Sequence, residues 1–144
     1  MEQWGWLTKG HDRPSKRFEN VKNTRPQPLE KQAPAVKILP NLAGLRTDEQ
    51  YDDFLMRHRN DKVVVNFGSS WCTHCHKLFP HFLSLTHAFT KLHYAVAQVD
   101  YMKYAPRGIT YTPTIAVFDK GRKVDQFFGA NPQQLRDRLW LHSD

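Results

Sequence analysis

The densest apolar pattern in the chain is Lys62-Val63-Val64-Val65-Asn66-Phe67, an almost continuous β-branched run. A strand buried on both faces reads this way, so the run predicts a central strand over 62–67. Upstream, Tyr51, Phe54 and Leu55 recur at helical spacing behind Thr47 and Gln50, a capping-box pair, and predict a helix from Asp48 to about Arg59. Downstream, the small-residue turn Gly68-Ser69-Ser70 precedes Leu78, Phe82, Leu85, Phe89 and Leu92. These mark the apolar side of a second helix reaching about Lys91, with Pro80 inside to kink it. Further strands are predicted at Val36–Leu39, Tyr94–Val99, Thr114–Phe118 and Lys123–Phe128, the last two joined by the tight turn Asp119-Lys120-Gly121-Arg122. Asn131 as N-cap and Pro132 at the first helical position open a closing helix that ends at Leu141. The order βαβαβ followed by ββα is an α/β arrangement, a central mixed sheet flanked by helices on both faces.

The first 33 residues do not follow this pattern. Pro14, Pro26 and Pro28 punctuate a polar, basic stretch without a sustained apolar period, so 1–33 is expected to be a flexible extension and 34–144 the folded domain. Trp4, Trp6 and Leu7 are its apolar exceptions. A chain of 144 residues is long enough for one domain with a real core. Its net charge of +7 is dispersed, with no Lys/Arg block, so a solvated surface is expected rather than a nucleic-acid partner. No signal-peptide order opens the chain and no run approaches a membrane span, which makes a soluble, cytoplasmic monomer the expectation.

Two cysteines exclude a disulfide-rich scaffold, and both lie in Trp71-Cys72-Thr73-His74-Cys75. Closing so short a loop removes only about 2 kcal/mol of unfolded-chain entropy, so the pair is a poor staple. As a redox couple it is well placed: one thiol attacks a substrate sulfur and the other resolves the mixed disulfide. Cys72 falls at the start of the second predicted helix, where free N–H groups and the dipole favour a thiolate. Cys75, one turn on, is expected to be more buried and to resolve. His74, when protonated, would stabilise the Cys72 thiolate further and raise the reduction potential.

Trp-Cys-x-x-Cys after a hydrophobic strand, Pro80, Tyr111-Thr112-Pro113-Thr114, Gly121 in a hairpin and Phe128-Gly129-Ala130 together resemble the thioredoxin family over roughly residues 36–142. The resemblance implies the thioredoxin fold, Cys72 as nucleophile, Cys75 as resolving thiol, and Pro113 as a cis proline facing them. It implies that the backbone of Thr112 pairs with the substrate chain, and that Trp71, Thr112 and Pro113 shape the docking surface. The implied activity is dithiol–disulfide exchange with disulfide-containing protein substrates, without a cofactor or metal, and with a thioredoxin reductase or glutathione as electron donor.

Three positions depart from the family pattern. Thr73-His74 replaces the usual Gly-Pro; a histidine there is similar to protein disulfide isomerases and periplasmic oxidases, so a potential above the roughly −270 mV of thioredoxin is expected. Asn66 and Gln98 stand where many members bury an aspartate and a lysine, implying a hydrogen-bonded amide pair in place of charges and no carboxylate to move the Cys75 proton. Gly68 stands where an aromatic residue is common. Other readings also start from these residues. Cys72-Thr73-His74-Cys75-His76 fits a haem-attachment pattern, disfavoured by the strand order. A metal site using Cys72, Cys75, His76 and His81 is disfavoured because His76 and His81 are five apart and face apart on a helix, leaving cluster binding across a dimer through Cys72 and Cys75. A thioredoxin-fold binding module with little turnover is the reading from a different class.

Overall fold

Strand β2 (Lys62–Gly68) is buried from Val63 onward, and the sheet is ordered around it. β3 (His93–Gln98) runs parallel along one edge, from Val63 opposite His93 to Gly68 opposite Gln98. β4 (Thr114–Asp119) runs antiparallel along the other. β1 (Leu42–Leu45) and β5 (Arg122–Phe128) close the order β1-β3-β2-β4-β5. Three helices, α1 (Asp48–Arg57), α2 (Thr73–Ala88) and α3 (Pro132–Leu141), and a 3₁₀ turn at Val99–Tyr101 complete the domain. The computed structural model describes residues 37–129 and 131–144, so the extension expected over 1–33, with Trp4, Trp6 and Leu7, lies outside the described residues.

Strand periodicity divides the core into two layers. Val64, Tyr94, Val96, Ile115 and Val117 pack against Leu78, Phe82 and Leu85 of α2 and Leu135 and Leu139 of α3. On the opposite face Val63, Val65, Phe67, Ala95 and Ala97 pack against Phe54 of α1 and Met102. Burying one such large side chain stabilises the fold by about 1.5–3 kcal/mol. Tyr94 is fully buried: its ring meets Phe82 edge-on at 5.7 Å, and its hydroxyl donates toward the Phe89 carbonyl at 2.8 Å, fixing the end of α2.

The first strand lies later than the sequence predicts. Residues 37–39 are not a strand; Leu39 accepts a hydrogen bond from the Leu42 N–H across a turn containing Pro40, and Ile38 packs on the core as a partly buried side chain. The chain pairs with β3 only after this turn, through Leu42-Ala43-Gly44-Leu45, whose Ala and Gly carry little strand propensity. α1 stops at Arg57 and α2 at Ala88, each short of the predicted end, while α2 continues through Pro80 unbroken. Val99 begins the 3₁₀ turn rather than ending a strand. In the β4–β5 turn, Lys120 and Gly121 have φ of 54° and 84°, the left-handed pair that a two-residue hairpin turn of matching twist requires.

α3 is held to β5 by a charged contact as well as by its leucines. Asp125 accepts from Arg138 Nε at 3.0 Å and from a second guanidinium nitrogen, and lies 3.1 Å from His142 Nε2. The guanidinium also sits 4.4 Å over the Phe127 ring. The Arg138 hydrogen bonds, against opposition from burial, hold the Asp125 carboxyl below its ordinary value of 3.8. A carboxyl with a depressed folded-state pKa stabilises the fold at pH above its unfolded value, and that contribution drains as pH falls through the folded one. Asp125→Asn is therefore expected to cost about 1 kcal/mol at neutral pH, discounted for partial exposure. Denaturant titrations from neutral pH down to about pH 3 should show the gap between variant and wild type closing as the acid limb is reached; a constant gap would contradict the ion-pair account.

Candidate active site

The C-terminal end of β2 delivers the chain into a short, tightly tied loop. Ser69 is buried, and its carbonyl accepts from the Cys72 N–H at 3.2 Å. Ser70 donates to Asp100 Oδ2 through both its N–H (3.3 Å) and its hydroxyl (2.7 Å). Asp100 stands in the 3₁₀ turn directly after β3, so the ends of two adjacent parallel strands hold the loop from both sides. This leaves Trp71 projecting outward, 74% exposed, beside Cys72.

Cys72 is the N-cap of α2, with φ −86° and ψ 110°. Its Sγ accepts from the Cys75 N–H at 3.1 Å, the bond that an N-cap oxygen usually accepts from the first turn. The sulfur thus faces an otherwise unpaired helix donor and the positive end of the helix dipole, both of which favour a thiolate once the pair is reduced. Cys72 and Cys75 are joined as a disulfide, with Cα atoms 5.2 Å apart. Cys72 is 8% exposed and Cys75 3%, an asymmetry that lets an incoming group reach Cys72 first.

The Thr112–Pro113 peptide is cis and faces this pair. The Thr112 carbonyl oxygen lies 3.5 Å from Cys72 Sγ, so a Cys72 thiol has an acceptor there that the disulfide cannot use. Pro113 is buried, and its own carbonyl accepts from the Gly129 N–H at 2.8 Å. Gly129 is needed for its size. A Cβ there would lie 2.6 Å from Ile115 Cγ1 and 3.1 Å from Ile115 Cδ1. Tyr111 and Phe128, exposed on either side of this segment, meet edge-on at 6.0 Å. With Trp71, they give the site an aromatic rim.

The other residues singled out in the sequence are placed differently. His74 is exposed on the first turn of α2. His76 is buried, with Nε2 3.0 Å from the Ser70 carbonyl, so its imidazole is engaged by the loop backbone. His81 is exposed and lines a groove with Ser84, Gln133 and Arg136. Cys72, Cys75, His76 and His81 therefore do not converge as one donor set. Asn66 and Gln98 are both buried, but Asn66 Oδ1 and Gln98 Oε1 each lack a protein donor. This corrects the expected amide–amide hydrogen bond. Ser69 Oγ and Asp100 Oδ1 are in the same condition, so four such acceptors collect around the C-terminal ends of β2 and β3. Buried polar atoms are normally paired with protein or with ordered water.

Asp100, Tyr111 and Phe128 were not assigned roles by sequence reasoning. The signal available for Asp100 is its position just past a predicted strand; Tyr111 and Phe128 each open a motif that carries the family resemblance.

Residues 43–140 match the family model described as Thioredoxin. Among curated proteins, Thioredoxin-like 3-3 of Arabidopsis thaliana is 42% identical over 108 residues, covering 75% of this chain and 82% of that protein. Its namesake in Oryza sativa is 35% identical over 105 residues, covering 72% and 81%. Among solved structures, the thioredoxin of Schistosoma mansoni superposes with a TM-score of 0.65 at 27% identity, covering 69% of this chain and 94% of that one.

The contact beneath the cis proline is open to a direct test. Gly129→Ala must displace Ile115, a side chain with no exposure, and overpacking of this kind costs about 1–3 kcal/mol. Urea denaturation should show that loss, and pairing the change with Ile115→Ala, which removes both contacted carbons, should recover part of it; equal costs in both backgrounds would sever the two residues.

Proposed function

The chain belongs to the thioredoxin family, and from that premise we propose that it reduces or exchanges disulfides in protein substrates through the Cys72/Cys75 couple. Family membership and the close cysteine pair make it a thiol–disulfide oxidoreductase in general terms. The observation that carries the finer reading is the 3.1 Å contact from the Cys75 N–H to Cys72 Sγ, which supports Cys72 as the thiolate.

In the proposed cycle the Cys72 thiolate attacks one sulfur of a substrate disulfide. A Cys72–substrate disulfide forms, and the other substrate sulfur leaves as a thiolate. Cys75, deprotonated, then attacks Cys72 Sγ and expels the second substrate thiolate. The dithiol has given up two electrons and become the Cys72–Cys75 disulfide, and the two released thiolates take up protons. A thioredoxin reductase or a glutathione-type donor returns the pair to its reduced form. Such cycling suits a reducing compartment, and the cytoplasm is the setting proposed for it. Trp71, Tyr111 and Phe128 supply apolar area for an incoming chain, while the Thr112 backbone beside Pro113 supplies polar contact. Asn66 cannot serve as a base, so the proton leaving Cys75 goes to another acceptor. The binding-module reading draws on the same change: a slow resolving step would hold a partner instead of turning it over.

Two measurements test the proposal. Cys75→Ser removes the resolving thiol, so incubation with a disulfide-containing protein should trap a mixed disulfide at Cys72, seen by mass spectrometry; a folded variant that accumulates none would sink the enzymatic reading. Equilibration against glutathione buffers should place the couple above the roughly −270 mV of thioredoxin, with His74→Pro moving it downward. If His74→Pro leaves the potential unchanged, His74 does not tune the thiolate.

A further inference from the structure

At the opposite end of β2 from Cys72, three side chains that take no part in thiol exchange converge. His58 caps the C-terminal end of α1, Asp61 stands just ahead of β2, and His93 is the first residue of β3. Pairing of Val63 with His93 fixes the third member against the turn that carries the second. That turn is closed by the Asp61 N–H donating to the His58 carbonyl at 2.9 Å, and the Asp61 carbonyl is held in turn by the Lys120 N–H at 3.1 Å. The backbone thus presets the spacing before any side-chain bond forms.

The donor atoms face one another. His58 Nδ1 lies 3.2 Å and His93 Nε2 3.6 Å from the same oxygen, Asp61 Oδ2. All three atoms fall within 4.8 Å of one another. The two imidazoles stack with centroids 4.2 Å apart and planes 29° apart. Lys62, next to Asp61 in sequence, is turned away, its ammonium donating to the carbonyls of His142 and Asp144.

We propose that His58 Nδ1, His93 Nε2 and a carboxylate oxygen of Asp61 form a binding site for a divalent transition-metal ion of the zinc type, with a remaining position open to water or a small ligand. Tetrahedral zinc with bonds of about 2.0–2.2 Å sets its ligand atoms roughly 3.3 Å apart. The two nitrogen-to-oxygen separations already stand near that value; the two imidazoles must close up and tilt out of their stack so that both in-plane nitrogen lone pairs point at one ion. As a purely hydrogen-bonded cluster, the group has one carboxylate oxygen facing two ring nitrogens, each of which must carry a proton to use it. A metal ion takes the lone pairs of both nitrogens and the oxygen's charge together, and two imidazoles with one carboxylate is a donor set that borderline divalent metals favour. The bound ion would join the end of α1 to the starts of β2 and β3 and leave the cysteines free.

The test uses the full chain in its oxidised form, so that the disulfide withholds both sulfurs from the metal. Titration with Co²⁺, read by its visible absorption, and competition by Zn²⁺ should give one ion per chain, with a rise in melting temperature on Zn²⁺ addition as expected for a ligand that binds the folded state. His93→Gln and Asp61→Asn should each weaken binding by at least about tenfold, with metal-free melting as the folding control. Should either variant fail to fold, paramagnetic broadening of wild-type histidine resonances by Ni²⁺ decides instead, with His58 and His93 expected to broaden first. The proposal is overturned if oxidised wild type binds no zinc, if both folded variants bind it unchanged, or if broadening centres on His81 or His87.

Discussion

Because β2 is paired along both edges and covered on both faces, it has no side on which a misplaced polar group could reach water. A shift of register by one residue would send Val64 and Asn66 to the face occupied by Val63, Val65 and Phe67, breaking both core layers together. That intolerance fixes where the strand ends. Its two ends carry the chemistry: Gly68 hands the chain to the cysteine loop, and Asp61 precedes Lys62 at the histidine cluster. Pairing along both edges is what fixes the position of both ends.

The cysteine end shows how such a site is held in place without filling it. Asp100 ties Ser70 from the neighbouring strand, the Gly129 N–H holds the Pro113 carbonyl, and the first turn of α2 directs a backbone N–H at Cys72 Sγ. Around this frame lie four buried oxygens without a protein donor, on Asn66, Ser69, Gln98 and Asp100. Beneath them lies a large apolar layer, with Phe82, Leu78 and Ile115 wholly or nearly wholly buried.

Much of this could be read from residue order, and the exceptions have physical causes. The Val63–Phe67 run, the Thr47 and Asn131 caps and the Lys120-Gly121 turn are local signals, and each structure formed where its own residues specify it. β1 lies later than composition predicts because a strand is defined by its partner: Val36–Leu39 has the better composition, yet Leu42–Leu45 is what reaches Tyr94–Ala97. Cys72 and Cys75 were legible as a pair because their chemistry depends on adjacency in sequence. The His58–Asp61–His93 grouping was not, since its third member is 32 residues from its second and joins only through β2–β3 register. The amide pair shows a subtler limit. The family resemblance implies that Asn66 and Gln98 are a buried pair, but the direction of a side-chain carbonyl is set by tertiary packing.

Sulfur at an N-cap makes the redox state of this protein part of its secondary structure. A thiolate at Cys72 offers the first turn of α2 a full negative charge, whereas the disulfide offers a neutral acceptor, so the helix is a better-terminated helix when the couple is reduced. Linkage makes that relation reciprocal: whatever free energy the helix end gives to the thiolate appears as a higher reduction potential. α2 is also the helix whose far end is gripped by Tyr94 through the Phe89 carbonyl. The potential of the couple is thereby a property of sixteen residues and their packing, not of two sulfurs.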